Sequence, residues 1–349
     1  MPTLKETLKH LTEDGATLTR EEASSTLNKI LTEETSDLEI SALLTLLATR
    51  SETVQELTGF AEAMRALSLP IPLTDEERSR LVDTCGTGGG GPTTFNISTG
   101  AALVATAAGA QVAKHGNRSI TSQCGSADVL EALGVAVALT PQQAVECLRA
   151  TGFMFLYAPL LHPAMKRVLP IRRALGFRTI FNLAGPLTNP AYAPVQVMGV
   201  PARKWLAPVA ETMSRLGIRR AFVVHGSDGL DELTVTGESN LAEVHDRAIG
   251  LYRTKPQDAG LPLADSAALA GGDAAANAAI LEAIFCGEPG PRRDVVLFNA
   301  AAALVVAELA EDLREGVRVG AEAIDSGAAR KTLEALRAFS ASIVPAHSS

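Results

Sequence analysis

The chain is short of three things, and each shortage removes a class of protein. It has only four cysteines in 349 residues, Cys85, Cys124, Cys147 and Cys286, with no C-x-x-C pair and no metal-ligand spacing. That excludes a disulfide-stapled scaffold and a zinc cage, and it leaves free thiols in a reducing compartment as the simpler reading. Positive charge is outnumbered, with 31 Lys and Arg against 39 Asp and Glu, a formal net charge of -8 and a pI near 5.4. Wholesale binding to nucleic acid or to an anionic membrane needs clustered positive charge, so neither is expected, while a local basic pocket is allowed. Long apolar runs are missing: the alanine-rich stretch 100–113 is too short and too weakly hydrophobic to span a bilayer. The first residues, Met1-Pro-Thr-Leu-Lys-Glu-Thr7, lack the basic and apolar regions of a secretory signal. The expectation is a cytoplasmic protein with no transmembrane helix, no internal repeat and no low-complexity tract.

What is present suits an ordinary globular fold. A hydrophobic content of 46% can build a real core, and the length allows one large domain plus a smaller one. Residues 4–68 read as helices only. Thr19-x-x-Glu22 has the form of a capping box, and Ile40, Leu43, Leu44 and Leu47 recur at helical spacing. Pro70-Ile71-Pro72 ends that pattern and predicts a linker at 69–75. Strand-like runs at 81–83, 111–113, 135–138, 153–156, 196–199, 221–225 and 241–244 then alternate with helical patterns. Such alternation predicts an α/β domain with a mostly parallel central sheet covered by helices. A helical tail should run from Ala274 to about Phe339, broken near Pro289-Gly290-Pro291.

Four consecutive glycines, Gly88 to Gly91, lie between Leu81-Val82-Asp83 and the hydroxyl-rich start Asn96-Ile97-Ser98-Thr99. Glycine lets backbone N–H groups close on an anion while the following helix presents its positive end, so strand, loop and helix together predict a phosphate cradle. No lysine follows the glycines as in a P-loop, and the spacing does not fit the dinucleotide G-x-G-x-x-G pattern.

Three further clusters carry chemistry. Lys114-His115-Gly116-Asn117-Arg118-Ser119 and the nearby Thr121-Ser122 have a polyanion-binding composition, with Lys114 as a mobile point charge. Downstream, Ser126 is placed either to cap a helix or to touch a phosphate. Asp231-Glu232, after the apolar run ending at His225, offers two hard oxygen ligands of the kind Mg²⁺ takes alongside substrate phosphates. Between them, His162 to Pro190 concentrates cations beside a Gly185-Pro186 turn. An arginine there could clamp a planar carboxylate, and spacing leaves Arg172, Arg173 and Arg178 open. His162 and His225 have no second ligand at metal spacing and are expected to be hydrogen-bonded structural residues.

Taken in order, Gly86-Thr87-Gly88-Gly89-Gly90-Gly91, Asn96-Ile97-Ser98-Thr99, Lys114 to Arg118, Gly185 to Pro190 and Asp231-Glu232 resemble the motifs of the anthranilate phosphoribosyltransferase family over about residues 5–335. The resemblance implies transfer of a 5-phosphoribosyl group from phosphoribosyl pyrophosphate (PRPP) to the amine of anthranilate, in tryptophan biosynthesis. It implies that Gly86, Gly89, Gly90, Thr94, Asn96, Ile97, Ser98, Thr99, Lys114, His115, Gly116, Asn117, Arg118, Ser119, Ser122 and Ser126 surround the substrates. Gly86, His115, Asn117 and Arg172 would line the anthranilate path. Ser98, Asp231 and Glu232 would hold two Mg²⁺ ions, and Lys114, Arg172, Asp231 and Glu232 would carry the chemistry. It implies a helical domain of residues 1–72 with a helical insertion at about 162–182, an α/β domain over 73–349, and a homodimer formed through the helical part. The family usually has Asp where this chain has Gly90, which removes a carboxylate from beside the ribose-pyrophosphate. A pyrimidine nucleoside phosphorylase and a non-catalytic nucleic-acid-binding relative are the alternatives, and Arg172, the acidic pair and the low pI argue against them.

Overall fold

The structure, a computed structural model, describes residues 2–32, 35–88, 94–119 and 123–343. The chain opens with four helices, α1 (Leu4–Glu13), α2 (Arg20–Thr32), α3 (Asp37–Arg50) and α4 (Val54–Ala66). Their starts are written in the sequence. Thr3 with Glu6, Ser36 with Glu39 and Thr53 with Glu56 form reciprocal caps. Thr19 and Glu22 do the same before α2, at 2.9 and 3.3 Å. The periodic Leu27, Ile40, Leu43, Leu44, Leu47 and Phe60 are fully buried between these helices. Gly59 allows α4 to lie directly on α2, because a Cβ there would sit 2.8 Å from the Ala23 Cβ.

After a short helix α5 (Asp75–Ser79) the chain alternates: β1 (Leu81–Gly86), α6 (Ile97–Ala107), β2 (Gln111–Gly116), α7 (Ser126–Ala132), α8 (Pro141–Thr151) and β3 (Phe153–Tyr157). A helical excursion follows, α9 (Ala158–Leu161), α10 (Leu169–Leu175) and α11 (Ile180–Ala184), before β4 (Val195–Gly199), α12 (Leu206–Arg215) and β5 (Arg220–Gly226). An antiparallel hairpin of β6 (Ser239–His245) and β7 (Ala248–Thr254) completes the sheet. The tail forms α13 (Ala274–Phe285), α14 (Pro291–Val306), α15 (Leu313–Asp325) and α16 (Ala328–Ile343), with the expected break at the Pro289 segment.

The seven strands lie in the order β3-β2-β1-β4-β5-β6-β7, parallel from β3 to β5. Crossovers through α6 and α8 pack with the tail helices in one core, whereas α12 lies in a second core with the N-terminal helices. Progress away from β1 and away from β4 runs in opposite directions, so a uniform crossover hand puts the two sets of helices on opposite faces. The boundary between β1 and β4 is therefore the topological switch point, where ligands of open α/β sheets bind beyond the strand ends. In the second core, Ile171, Ile180 and Phe181 of the excursion join the helical bundle. Phe181 meets Phe60 at 5.9 Å, a contact adding about 1 kcal/mol beyond burial alone.

Two expectations need correction. Residues 135–138 form no strand: the Val135 N–H donates to the Leu130 carbonyl and the Ala136 N–H to the Ser340 hydroxyl, so their donors are spent on helices. The edge strand β7 is the converse case, present but unforeseen, because nearly all of its residues are solvent-exposed and carry no inward-outward alternation.

Candidate active site at the strand ends

Four glycines end strands on the same side of the sheet, Gly86 on β1, Gly116 on β2, Gly199 on β4 and Gly226 on β5. Asp231 occupies the space above two of them. A Cβ on Gly86 would come within 2.6 Å of the Asp231 Oδ2, and one on Gly199 would strike the Asp231 backbone. The same Oδ2 accepts the Gly88 N–H at 2.9 Å and faces the Thr87 hydroxyl at 3.5 Å. Its neighbour Glu232 accepts the Ser98 backbone N–H in the first turn of α6. Lys114 closes the group from β2, donating from Nζ to the Thr84 carbonyl at 2.5 Å and to the Ser98 hydroxyl at 3.3 Å. Residues far apart along the chain thus converge at the switch point, Thr87 and Asp231 being separated by 144 positions.

Burial dominates the electrostatics of these groups. Burial pushes the carboxyl of Asp231 above its usual range. Glu232 is raised by burial and then by Asp231, while Lys114 and the Ser98 amide pull it down. Asp83, fully buried on β1, is pushed up to about 6 by burial against the pull of Asn189 and Lys114. Lys114 itself is lowered by burial and held up by Asp83, Cys85 and Glu232. It is only 2% exposed, which corrects the expectation of a mobile point charge: it is a fixed one, tied to β1 and α6. Two adjacent carboxylates and the Ser98 hydroxyl form a hard oxygen donor set. Among the described residues no group of three or more His, Cys, Asp or Glu side chains gathers, so these residues fit a cation that shares its shell with phosphate oxygens and water.

The expected substrate residues divide by placement. Asn96, at the start of α6, is held at both ends of its side chain: Oδ1 accepts from Asn277 Nδ2 at 2.9 Å and Nδ2 donates to the Cys124 carbonyl at 3.2 Å. Thr94 pairs with Ala270 in an isolated antiparallel bridge. Ile97 is core, and the Thr99 hydroxyl is buried with no partner among the described residues. Asn117 accepts the Arg118 amide on Oδ1 at 2.7 Å and the Ser126 hydroxyl on its carbonyl at 3.2 Å. Ser126 therefore caps nothing, since Gly125 is the N-cap of α7 and Asp128 accepts the amides of Gly125 and Ser119 at 2.8 and 3.1 Å. The Arg118 guanidinium pairs with Asp128 and Glu131 at 2.9 and 2.7 Å. Gly89, Gly90 and Ser122 lie outside the described residues.

A second group lies toward the helical side. His115 is buried beside His162, and Arg172 is half-buried on α10 over the Phe181 ring at 5.3 Å. Burial lowers the Arg172 pKa, and no acceptor meets its guanidinium among the described residues. Arg173 is exposed on the same helix, while Arg178 donates to the Gly88 carbonyl at 3.4 Å and acts on Asp231. Geometry thus separates three arginines that spacing left equal. His225 is the structural residue expected, its Nδ1 lying 3.0 Å from the Val200 carbonyl. The His162 ring likewise meets the carbonyls of Met64 and Thr188, while its Nε2 has no partner among the described residues. Asp83, Thr84 and Asn277 were missed as site residues. Asp83 and Thr84 could have been found as the polar residues inside a buried strand; Asn277 gives no local signal.

Among the described residues no cysteine forms a disulfide; Cys85, Cys124 and Cys147 are buried and Cys286 is exposed. No helix is long and apolar enough to cross a membrane among the described residues.

Comparison with known proteins bears on the same segments. The helical bundle domain of the glycosyl transferase family matches residues 5–68 and its a/b domain matches residues 78–330. Anthranilate phosphoribosyltransferase of Symbiobacterium thermophilum is 48% identical over 326 residues, covering 93% of this chain and 95% of the relative. The crystal structure of anthranilate phosphoribosyltransferase from Thermus thermophilus superposes with a TM-score of 0.90 at 42% identity, over 98% of this chain and 100% of that one. The Saccharomyces cerevisiae enzyme in complex with PRPP and Mg superposes with a TM-score of 0.87 at 27% identity, over 97% and 98% of the two chains.

Proposed function

The chain belongs to the anthranilate phosphoribosyltransferase family, and from that premise we propose how its own residues perform the reaction. It is an enzyme of tryptophan biosynthesis that transfers the 5-phosphoribosyl group of PRPP to the amine of anthranilate, giving N-(5-phosphoribosyl)anthranilate and pyrophosphate. It uses Mg²⁺. The observation that carries the residue-level reading is the meeting of Asp231, Glu232, Lys114 and Ser98 beyond the ends of β1 and β2.

The C1–O bond to pyrophosphate breaks as the aromatic amine arrives, so negative charge grows on the leaving group and positive charge on the ribose. Ser98, Asp231 and Glu232 would hold Mg²⁺, two ions with PRPP bound, which would supply positive charge to offset the leaving diphosphate. Lys114, fixed on Thr84 and Ser98, adds a preorganised positive charge, and the amides of the glycine loop and of the α6 start donate to phosphate oxygens. The half-buried Arg172, unpaired among the described residues, clamps the anthranilate carboxylate, while Gly86, His115 and Asn117 line its approach. Neutral anthranilate needs no strong base before attack, so these groups work by position and electrostatics. With its guanidinium on Asp128 and Glu131, Arg118 reaches PRPP by exchanging those partners.

Residues 1–72 and the excursion at about 162–182 form the helical domain of this reading, and the rest of residues 73–349 forms the α/β domain. The shared core of Ile171, Ile180 and Phe181 with α3 and α4 supports that division. Family membership supports a cytoplasmic homodimer joined through the helical part. The test is loss of anthranilate fluorescence on mixing with PRPP and Mg²⁺, and not without either. Release of base from thymidine or uridine with phosphate, and no turnover of PRPP, would overturn the assignment.

A further inference from the structure

Between β5 and β6 the chain leaves the sheet for residues 227–238, and this segment carries the acidic pair. Buried peptide groups there must find partners outside the ladder. Most find them within the segment. The Asp228 carboxylate accepts the Leu230 amide at 3.2 Å and the hydroxyls of Thr234 and Thr236 at 2.5 and 2.6 Å. The Thr234 amide goes to the Ser239 hydroxyl at 2.9 Å.

Leu233, the residue after Glu232, is held from outside the segment at both of its peptide groups. It is fully buried, and both of its backbone groups are taken by one side chain on α14: the N–H donates to Asn299 Oδ1 at 2.9 Å and the carbonyl accepts from Asn299 Nδ2 at 2.8 Å. A side-chain amide places donor and acceptor as a neighbouring strand would. The second Nδ2 hydrogen goes to the Val295 carbonyl, 2.9 Å away and one turn back, which locks the rotamer. Every residue of α14 from Val295 to Val306 is buried, and Asn299 is the polar one among them. Asparagine is a poor residue for a helix interior, and the packing of this helix gives it no other partner to serve.

We propose that Asn299 is a positioning residue for the acidic pair: by clamping the Leu233 peptide it fixes where the adjoining Glu232 and Asp231 present their carboxylates to the metal-bound diphosphate. The inference rests on reading those two acids as the metal holders. Consecutive Cα atoms are about 3.8 Å apart, so a clamp on Leu233 leaves Glu232 little freedom. Asn299 touches neither acid and no substrate, and it acts through the backbone.

The test compares the full-length Asn299→Leu variant, which keeps the side-chain size, with Val306→Ala, a packing loss on the same helix away from Leu233. Asn299→Leu should raise the Mg²⁺ concentration for half-maximal rate about ten-fold, leave the anthranilate KM within about two-fold, and speed amide hydrogen exchange of residues 230–236 in the metal-free protein about ten-fold. Val306→Ala should do none of these at a matched loss of melting temperature. Equal Mg²⁺ dependence in the two variants overturns the proposal. If Asn299→Leu fails to fold, the wild-type Leu233 amide decides: it should exchange more slowly than the other amides of 227–238, and exchange at their rate overturns the clamp. Asp231→Ala with Glu232→Ala separates the two readings. Mg²⁺ dependence unchanged there removes the metal role of the acids; Mg²⁺ dependence lost there and kept in Asn299→Leu removes only the clamp.

Discussion

His115 at the end of β2 and His162 just after α9 face each other with ring centroids 5.1 Å apart and planes inclined at 52°, and the Nε2 of each is buried without a partner among the described residues. Burial is the main force on both rings. It lowers His115 well below the usual range, helped by His162 and Arg65, and it brings His162 down to about 4 against the carbonyls of Met64 and Thr188. Both rings are neutral in the folded chain at pH 7, whereas the unfolded chain protonates them near the ordinary value of about 6.5. Between these values the unfolded state binds more protons, so stability rises with pH across the window and is lost as pH falls from 6.5 towards 4. For His162 alone the loss reaches about 3 kcal/mol. The urea midpoint of the wild type should therefore drop between about pH 7 and about pH 5, and His162→Gln should flatten that drop. An identical pH slope in the variant assigns the acid sensitivity to other groups.

Arg172 makes a kinetic prediction because its guanidinium is desolvated over Phe181 and unpaired among the described residues. A charge-assisted carboxylate contact is worth about 1.5–3 kcal/mol. Arg172→Ala should raise the anthranilate KM roughly ten-fold or more and leave the PRPP KM nearly unchanged. Arg172→Lys should recover only part, since a lysine cannot offer two parallel donors. An unaltered anthranilate KM in a folded Arg172→Ala protein would place the carboxylate clamp on another residue, Arg178 being the next nearest to the loop by its contact with Gly88.

The helical bundle was legible because capping residues and apolar spacing are local properties, and Thr19-Glu22 and the Ile40 to Leu47 stripe each behave as local rules require. The alternation at Val135, Val137 and Leu139 is equally real, and all three are buried, but period alone does not decide where backbone donors go. Strand β7 hides for the opposite reason: its register is set by a turn with Asp246 and Arg247 at φ 47° and 72°, neither of them glycine, and its outer residues Ile249 and Leu251 face solvent. At the candidate site, Asn96 and the acidic pair stand out because each belongs to a contiguous motif. The contacts that hold the backbone around them do not. Asn277 and Asn96 are 181 positions apart, and Asn299 and Leu233 are 66 apart, so only the fold brings each pair together.

Removing both acids separates catalysis from folding. Burial and mutual repulsion disfavour the charged forms of Asp231 and Glu232 in the metal-free protein. Asp231→Ala with Glu232→Ala should abolish Mg²⁺-dependent turnover while leaving the metal-free melting temperature unchanged or higher, because two acids whose charged forms burial disfavours disappear together. Fluorescence assay and thermal melting on the same preparation check both halves. Turnover at the wild-type rate in the folded variant would strike the acids from the mechanism.

Gly86 offers the most local probe of the switch point. The residue ends β1 and is paired with Gly199 of β4, so its backbone is fixed by the sheet. An added Cβ would lie 2.6 Å from Asp231 Oδ2 and 3.2 Å from its Cγ, closer than van der Waals contact allows. The end of the strand cannot yield without breaking its ladder to β4, in which Gly86 pairs with Gly199. The carboxylate must move instead, and with it the bond from the Gly88 amide that now holds it at 2.9 Å. Gly86→Ala should thus keep the fold, since no core packing changes, and weaken use of PRPP and Mg²⁺ together by about ten-fold or more. The double variant with Asp231→Ala should show no further loss from the added methyl, because the group it displaces is gone. Additive losses in that cycle would mean that the methyl acts on the substrate itself and not through Asp231.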